Sequence, residues 1–197
     1  MSRVKIGISI NLIGGYDMEQ KRTRLEMLKE YIDSKLHNIH DPFEKRCSFI
    51  HLYGVSAFCT MVAAKRGQNI ELSAMAGMLH DFYLYYIAND PNRVFTKHGE
   101  LGAVFVRKVL GDLGFLAQDE IDIICAAIHN HSYKDRVDND FDELLKDAEV
   151  LQKLFYDIEF EPHHTYRGRI PKLIEEFGLM HLKGYVREIS ATHDNKH

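Results

Sequence analysis

The sequence is short of helix breakers. Its 197 residues include 4 prolines and 13 glycines, about 9% of the chain against roughly 12% in average usage. Pro42, Pro91, Pro162 and Pro171 leave the runs 43–90 and 92–161 free of proline, which favours helix throughout. Cysteine is scarce too. Cys47, Cys59 and Cys125 are widely spaced and form no CxxC pair. That excludes a disulfide framework and a structural zinc knuckle, and fits free thiols in a reducing compartment, the cytoplasm. A basic excess is missing: 25 Lys and Arg face 29 Asp and Glu, for a formal net charge of −4. Non-specific nucleic-acid binding is therefore disfavoured. No uninterrupted apolar stretch of roughly 18 residues occurs, so no membrane-spanning segment is expected.

What is present describes one globular domain. Hydrophobic residues make up 45% and charged residues 27%, enough apolar surface to fold without a staple. Residues 1–17 stand apart, because Val4, Ile6, Ile8, Ile10 and Leu12 alternate with Lys5, Gly7, Ser9 and Asn11 in the period of a strand. This extension has no partner strand in the sequence; it pairs between subunits, packs loosely, or is an upstream addition. An oligomer is left open. From Met18 to His197 the pattern is that of one all-α domain. Helices are expected from about Met18 to before Asp41-Pro42, then over about 46–66, 70–80, 98–111, 118–131, 141–157 and 171–189, with residues 82–96 as a loop or broken helix.

Histidine carries the information. The chain has 12, and several sit where an amphipathic helix would place an apolar residue. His51 shares a stripe with Val55, Phe58 and Val62, His98 with Leu101, Phe105 and Val109, and His131 with Ile121, Ile124 and Ile128. Asp147 lies between Leu144 and Leu151 on what reads as the inward face of its helix. Any one of these alone is a core polar residue satisfied by hydrogen bonds. Four on separate helices, with the pair His80-Asp81 at a helix end, ask for a common partner, because buried polar groups are costly unless paired. A divalent cation serves, and mixed imidazole and carboxylate donors suit Mn, Fe, Co, Ni or Zn. Neighbouring residues on a helix point about 100° apart, so His80 and Asp81 reach one site only near a helix terminus.

The order His51, His80-Asp81, Asp147 resembles the H…HD…D signature of the HD superfamily of metal-dependent phosphohydrolases. The text around it is similar as well: AAKRGQNIELSAMAGMLHD, KHGELGA, AAIHNHS and ELLKDAEVL, all within residues 46–155. The resemblance implies a helical bundle in which His51, His80, Asp81 and Asp147 hold one metal. In relatives with two metals, histidines of the next two helices are added, and His98 and His131 stand in those places. His129 rivals His131; the isoleucine stripe favours His131. Where many relatives follow His-Asp with a small residue, Gly and Lys, this chain has Phe82-Tyr83-Leu84-Tyr85-Tyr86, like a bacterial branch with aromatic residues after the motif. Those tyrosines are core or a stacking surface for a nucleobase.

The resemblance implies a phosphohydrolase of nucleotides or other small phosphoesters. With two cations and ionised Asp81 and Asp147, the site carries a formal charge of about +2 and attracts phosphate despite the acidic chain. A cation also lowers the pKa of its water from 15.7 to about 7, with Asp81 orienting the nucleophile. Arg46, Lys97, Lys134, Arg136 and Lys146 are candidate phosphate contacts or solvated surface charges. The alternative function is a metal-containing binding or sensor module without turnover. Neither a membrane nor non-specific nucleic-acid binding is expected.

Overall fold

A computed structural model describes residues 22–156, 166 and 168–182; the expected strand within residues 1–17 lies outside them. The described residues form eight α-helices and one 3₁₀ turn, and no strand: α1 (Arg24–Leu36), α2 (Pro42–Arg66), α3 (Ile70–Leu79), α4 (Phe82–Tyr86), α5 (His98–Leu113), α6 (Gln118–Asn130), α7 (Asp140–Tyr156) and α8 (Ile170–Glu176), with the turn at Met180–Leu182.

Local chemistry sets the boundaries. Thr23 and Glu26 form a capping box at the start of α1, which satisfies two backbone donors at once. Asp41 accepts from the Glu44 amide at 2.6 Å, so α2 begins at Pro42, earlier than residue 46, with proline where its missing N–H costs nothing. Asn69 caps α3 by accepting from the Leu72 amide. The aromatic run after Asp81 makes one short helix. α8 ends at Glu176, short of residue 189, with Gly178 close behind at φ +67°; residues 183–189 of the expected span lie outside the described residues.

α2 is the centre of the bundle, packed on α3 and α7, while α5 packs on α6 and α1 lies across α2, α3 and α4. By length and composition α2 is apolar enough to cross a membrane; here Leu52, Val55, Cys59, Val62 and Ala63 are buried in the shared core. Gly77 allows α3 to approach α2, since a β-carbon there would lie 2.7 Å from the Ser56 Cα. Arg24 ties the outside together, with Glu71 of α3 at 2.5 Å and Glu120 of α6 at 2.8 Å.

The aromatic run is mostly packing. Phe82 is fully buried, edge-on to Tyr31 and against Phe105. Tyr83 and Tyr86 also pack on Phe105, at 5.6 and 4.6 Å between ring centres. Tyr85 alone turns toward His51, at 6.5 Å. Burial, followed by the charge of Asp81, pushes its phenol above the ordinary value.

Candidate metal centre

The closely packed helices bring their ends to one point. His51 projects from the middle of α2, and His80 caps the end of α3. Asp81 occupies the break before α4, with φ −112° and ψ 9°, and this break lets adjacent residues reach one site. His98 opens α5 and His131 closes α6. The start of α5 lies flush on the end of α6 because residue 99 is glycine: a β-carbon there would sit 2.9 Å from the Ile128 carbonyl oxygen. Just before it, Lys97 has a left-handed backbone, φ 60°, a conformation that disfavours side chains larger than glycine.

Asp81 is the hub. Its Oδ2 lies 3.3 Å from His51 Nε2 and 3.4 Å from His80 Nε2. Its Oδ1 lies 3.3 Å from His131 Nε2 and 3.5 Å from His98 Nε2. His51 Nε2 and His80 Nε2 are 3.0 Å apart. His80 and His131 are almost completely buried.

Backbone carbonyls fix which ring nitrogen faces inward. The Nδ1 of His80 lies 2.8 Å from the Gly77 oxygen, that of His98 3.0 Å from Phe95, and that of His131 2.6 Å from Ile128. A carbonyl only accepts, so each Nδ1 carries its proton, and in the neutral ring each Nε2 offers a lone pair. Three lone pairs therefore converge on a carboxylate whose Oδ1 is buried without a hydrogen-bond partner. Burial pushes the Asp81 carboxyl up; a proton taken up by the surrounding imidazoles, through the charge of His80 first and then hydrogen bonds from His131 and His51, holds it well below the usual carboxylate range. Such a cluster needs positive charge at its centre, from a proton on an imidazole or from a bound cation. The donor set fits a divalent cation: His51, His80 and Glu149 offer atoms within 4.8 Å of one another, as do His80, Asp81 and His131. Imidazole and carboxylate together suit the first-row transition metals.

The carboxylate that α7 sends to this group is Glu149, and Asp147 goes elsewhere. Asp147 pairs with Arg66 at 2.7 Å and with Arg169 at 2.9 Å, on the side of α7 turned to the end of α2 and to α8. This corrects the placement of Asp147 among the site residues. The physical reason is that α7 is buried continuously from Leu144 to Gln152, so an inward stripe has no outward face to contrast with. Glu149 is held between Lys134 at 2.6 Å and Lys153 at 2.5 Å. Burial pushes its carboxyl up, and the two lysines, then His80 and His131, bring it well below the usual range.

The candidate phosphate contacts divide in the same way. Lys134 is buried, donating to Glu149 and to the His131 carbonyl at 2.9 Å. Lys146 is fully buried and committed to Asp138, Glu143 and the Arg136 carbonyl, which corrects its reading as a free cation. Arg46 lies over the exposed Phe43 ring and Arg136 over the Tyr133 ring. Lys97 is exposed and lines a cleft of about 380 Å³ with Phe95, His98, His129, Ser132 and Tyr133. His129 is exposed and borders this cleft, two residues from the buried His131. Ser132, which the sequence reading passed over, places its Oγ 2.9 Å from His98 Nε2.

The HD domain family model matches residues 48–154. No curated protein and no solved structure matches the chain. The match covers more than half of the 197 residues and spans the helices that bring His51, His80, Asp81, His98, His131 and Glu149 together, so the chain belongs to the HD domain family of metal-dependent phosphohydrolases.

Proposed function

We propose that the protein is a phosphohydrolase of a nucleotide or another small phosphoester, working with two divalent cations. Asp81 carries the reading: each of its oxygens faces two imidazole nitrogens, as a carboxylate bridging two cations would. His51, His80, Asp81 Oδ2 and Glu149 would hold one, and Asp81 Oδ1, His98 and His131 the other. Cations held there make water a nucleophile near neutral pH and neutralise charge on phosphoryl oxygens. The protein's own contribution is position. The carbonyl-locked imidazoles keep their lone pairs on one point, and Asp81 orients the attacking water. Lys97, at the mouth of the cleft beside His98, meets the phosphate, and Phe95 and Tyr133 flank the leaving group.

A second reading, a binding or sensor module without turnover, is favoured by one observation. Both Glu149 oxygens are engaged by Lys134 and Lys153, which compete with a cation for that carboxylate. Two measurements separate the readings: metal content of protein purified without chelator, and phosphate release from a panel of nucleotides and small phosphoesters with Mn or Co added. Two equivalents of metal with turnover support the hydrolase. Bound metal without release from any substrate supports the sensor.

A further inference from the structure

The geometry points to Ser132 as a ligand of the second cation, a role that rests on the two-cation reading above. Its Oγ lies 2.9 Å from His98 Nε2 and 3.4 Å from His131 Nε2. Those two nitrogens lie 3.5 and 3.3 Å from Asp81 Oδ1. Four potential donors thus follow one another in a closed ring, Ser132, His98, Asp81 and His131, with neighbours 2.9 to 3.5 Å apart. With donor–metal distances of about 2.0–2.2 Å, neighbouring donors of a four- to six-coordinate cation lie roughly 2.8–3.6 Å apart. The spacing is that of a coordination shell.

Proton counting leads to the same place. The Nδ1 protons of His98 and His131 are committed to the Phe95 and Ile128 carbonyls, so in the neutral rings both Nε2 atoms accept. A hydroxyl has one proton to give. Ser132 satisfies His98 Nε2 or His131 Nε2, never both, and Asp81 Oδ1 is left without a hydrogen-bond partner in either case. A cation at the centre meets all four donors at once and leaves the serine proton free to turn toward the cleft that Ser132 lines. Gly99 lets the start of α5 approach Ser132 closely, since a β-carbon there would lie 3.1 Å from the Ser132 Oγ.

The test uses Co(II) alone as probe on metal-depleted full chain, with Ser132→Ala and Ser132→Cys checked for helical content by circular dichroism. Wild type should take two equivalents without a thiolate-to-cobalt charge-transfer band. Ser132→Cys should develop that near-ultraviolet band with one of the two. Ser132→Ala should hold one equivalent as wild type does and bind the other at least about 10-fold more weakly. If Ser132→Cys binds two equivalents without the band, or Ser132→Ala binds both with wild-type affinity, the serine assignment is overturned and the two-cation reading stands. If wild type binds a single equivalent, both fall, and that result precedes any variant.

Discussion

Two carboxylates on α7 stand two residues apart and meet different company. Asp147 faces two guanidinium groups, Arg66 and Arg169, which are themselves shared with Glu176 and Glu143. That face of the helix is an ion-pair lattice along a cleft of about 470 Å³, joining α7 to the end of α2 and to α8. Glu149, turned about 200° around the helix axis, faces two lysines and comes within ligand distance of His51 and His80. Both carboxylates are buried, so burial does not tell them apart; partner chemistry does. Planar guanidinium forks bind carboxylates at fixed geometry and hold structure together. Imidazole lone pairs beside a carboxylate leave a place for a cation.

The contrast breaks most completely at Asp81, which joins the two halves of the site. Asp81→Ala should remove bound metal from both halves and abolish turnover, a loss beyond the roughly 10- to 100-fold expected when only an outer hydrogen-bond partner is lost. The helical circular dichroism should survive. A metal-replete, active Asp81→Ala protein would take Asp81 out of the centre.

Exchanging the damage between the two α7 carboxylates sharpens the comparison. Glu149→Gln should lower metal stoichiometry, and it also leaves Lys134 buried beside a neutral partner, so unfolding stability should fall by about 3 kcal/mol. Asp147→Asn should leave metal stoichiometry at the wild-type value and cost about 1–2 kcal/mol, because Arg66 and Arg169 keep Glu176 and Glu143. Metal analysis beside urea unfolding reads both effects. Metal loss from Asp147→Asn with none from Glu149→Gln would reverse the assignment. The neighbouring pair His129 and His131 offers the same kind of contrast on α6. His131→Ala should reduce metal content and turnover, whereas His129→Ala should keep full metal and change turnover less than 10-fold, about 1.4 kcal/mol.

Much of this was legible in the residues. The isoleucine stripe that ends at His131 runs buried through Ile121, Ile124 and Ile128, and the break after His80 falls where the tyrosine-rich run begins. Other parts were hidden for physical reasons. His98 reaches the centre from the first residue of α5 and not along an apolar stripe, for Leu101 is 43% exposed; its place depends on the close approach at Gly99. On α7 the sequence DAE offers two carboxylates to a helix buried on every side, and periodicity cannot choose between them. The choice is made by Arg66 and Arg169, which lie 81 and 22 residues away in the chain. Lys134 read as a phosphate contact or a surface charge because no local pattern reveals Glu149 as its partner, 15 residues on. For Lys146 the i,i+3 partner Glu143 stood in the sequence, but not the burial that commits the lysine to it.

The smallest expected effect belongs to the arginine face, and it depends on acid. The hydrogen bond from Arg66 holds the Glu176 carboxyl below its ordinary 4.5, against a smaller upward push from burial. Burial pushes Glu143 up, and hydrogen bonds from Arg169 and Lys146 bring it below the same value. A carboxylate with a lowered folded pKa adds stability that is fully present above its unfolded pKa. As pH falls below that value the unfolded chain takes up the proton first, and the contribution is lost as pH passes through the folded pKa. Metal-depleted protein isolates this face from any acid release of cations. Urea midpoints of wild type and Glu176→Gln should therefore differ most at about pH 7 and converge toward about pH 3, as wild type loses what the variant never had. A gap that stays constant across that range would mean that the Arg66 pair adds nothing to stability, and that the lattice on this face of α7 only positions its helices.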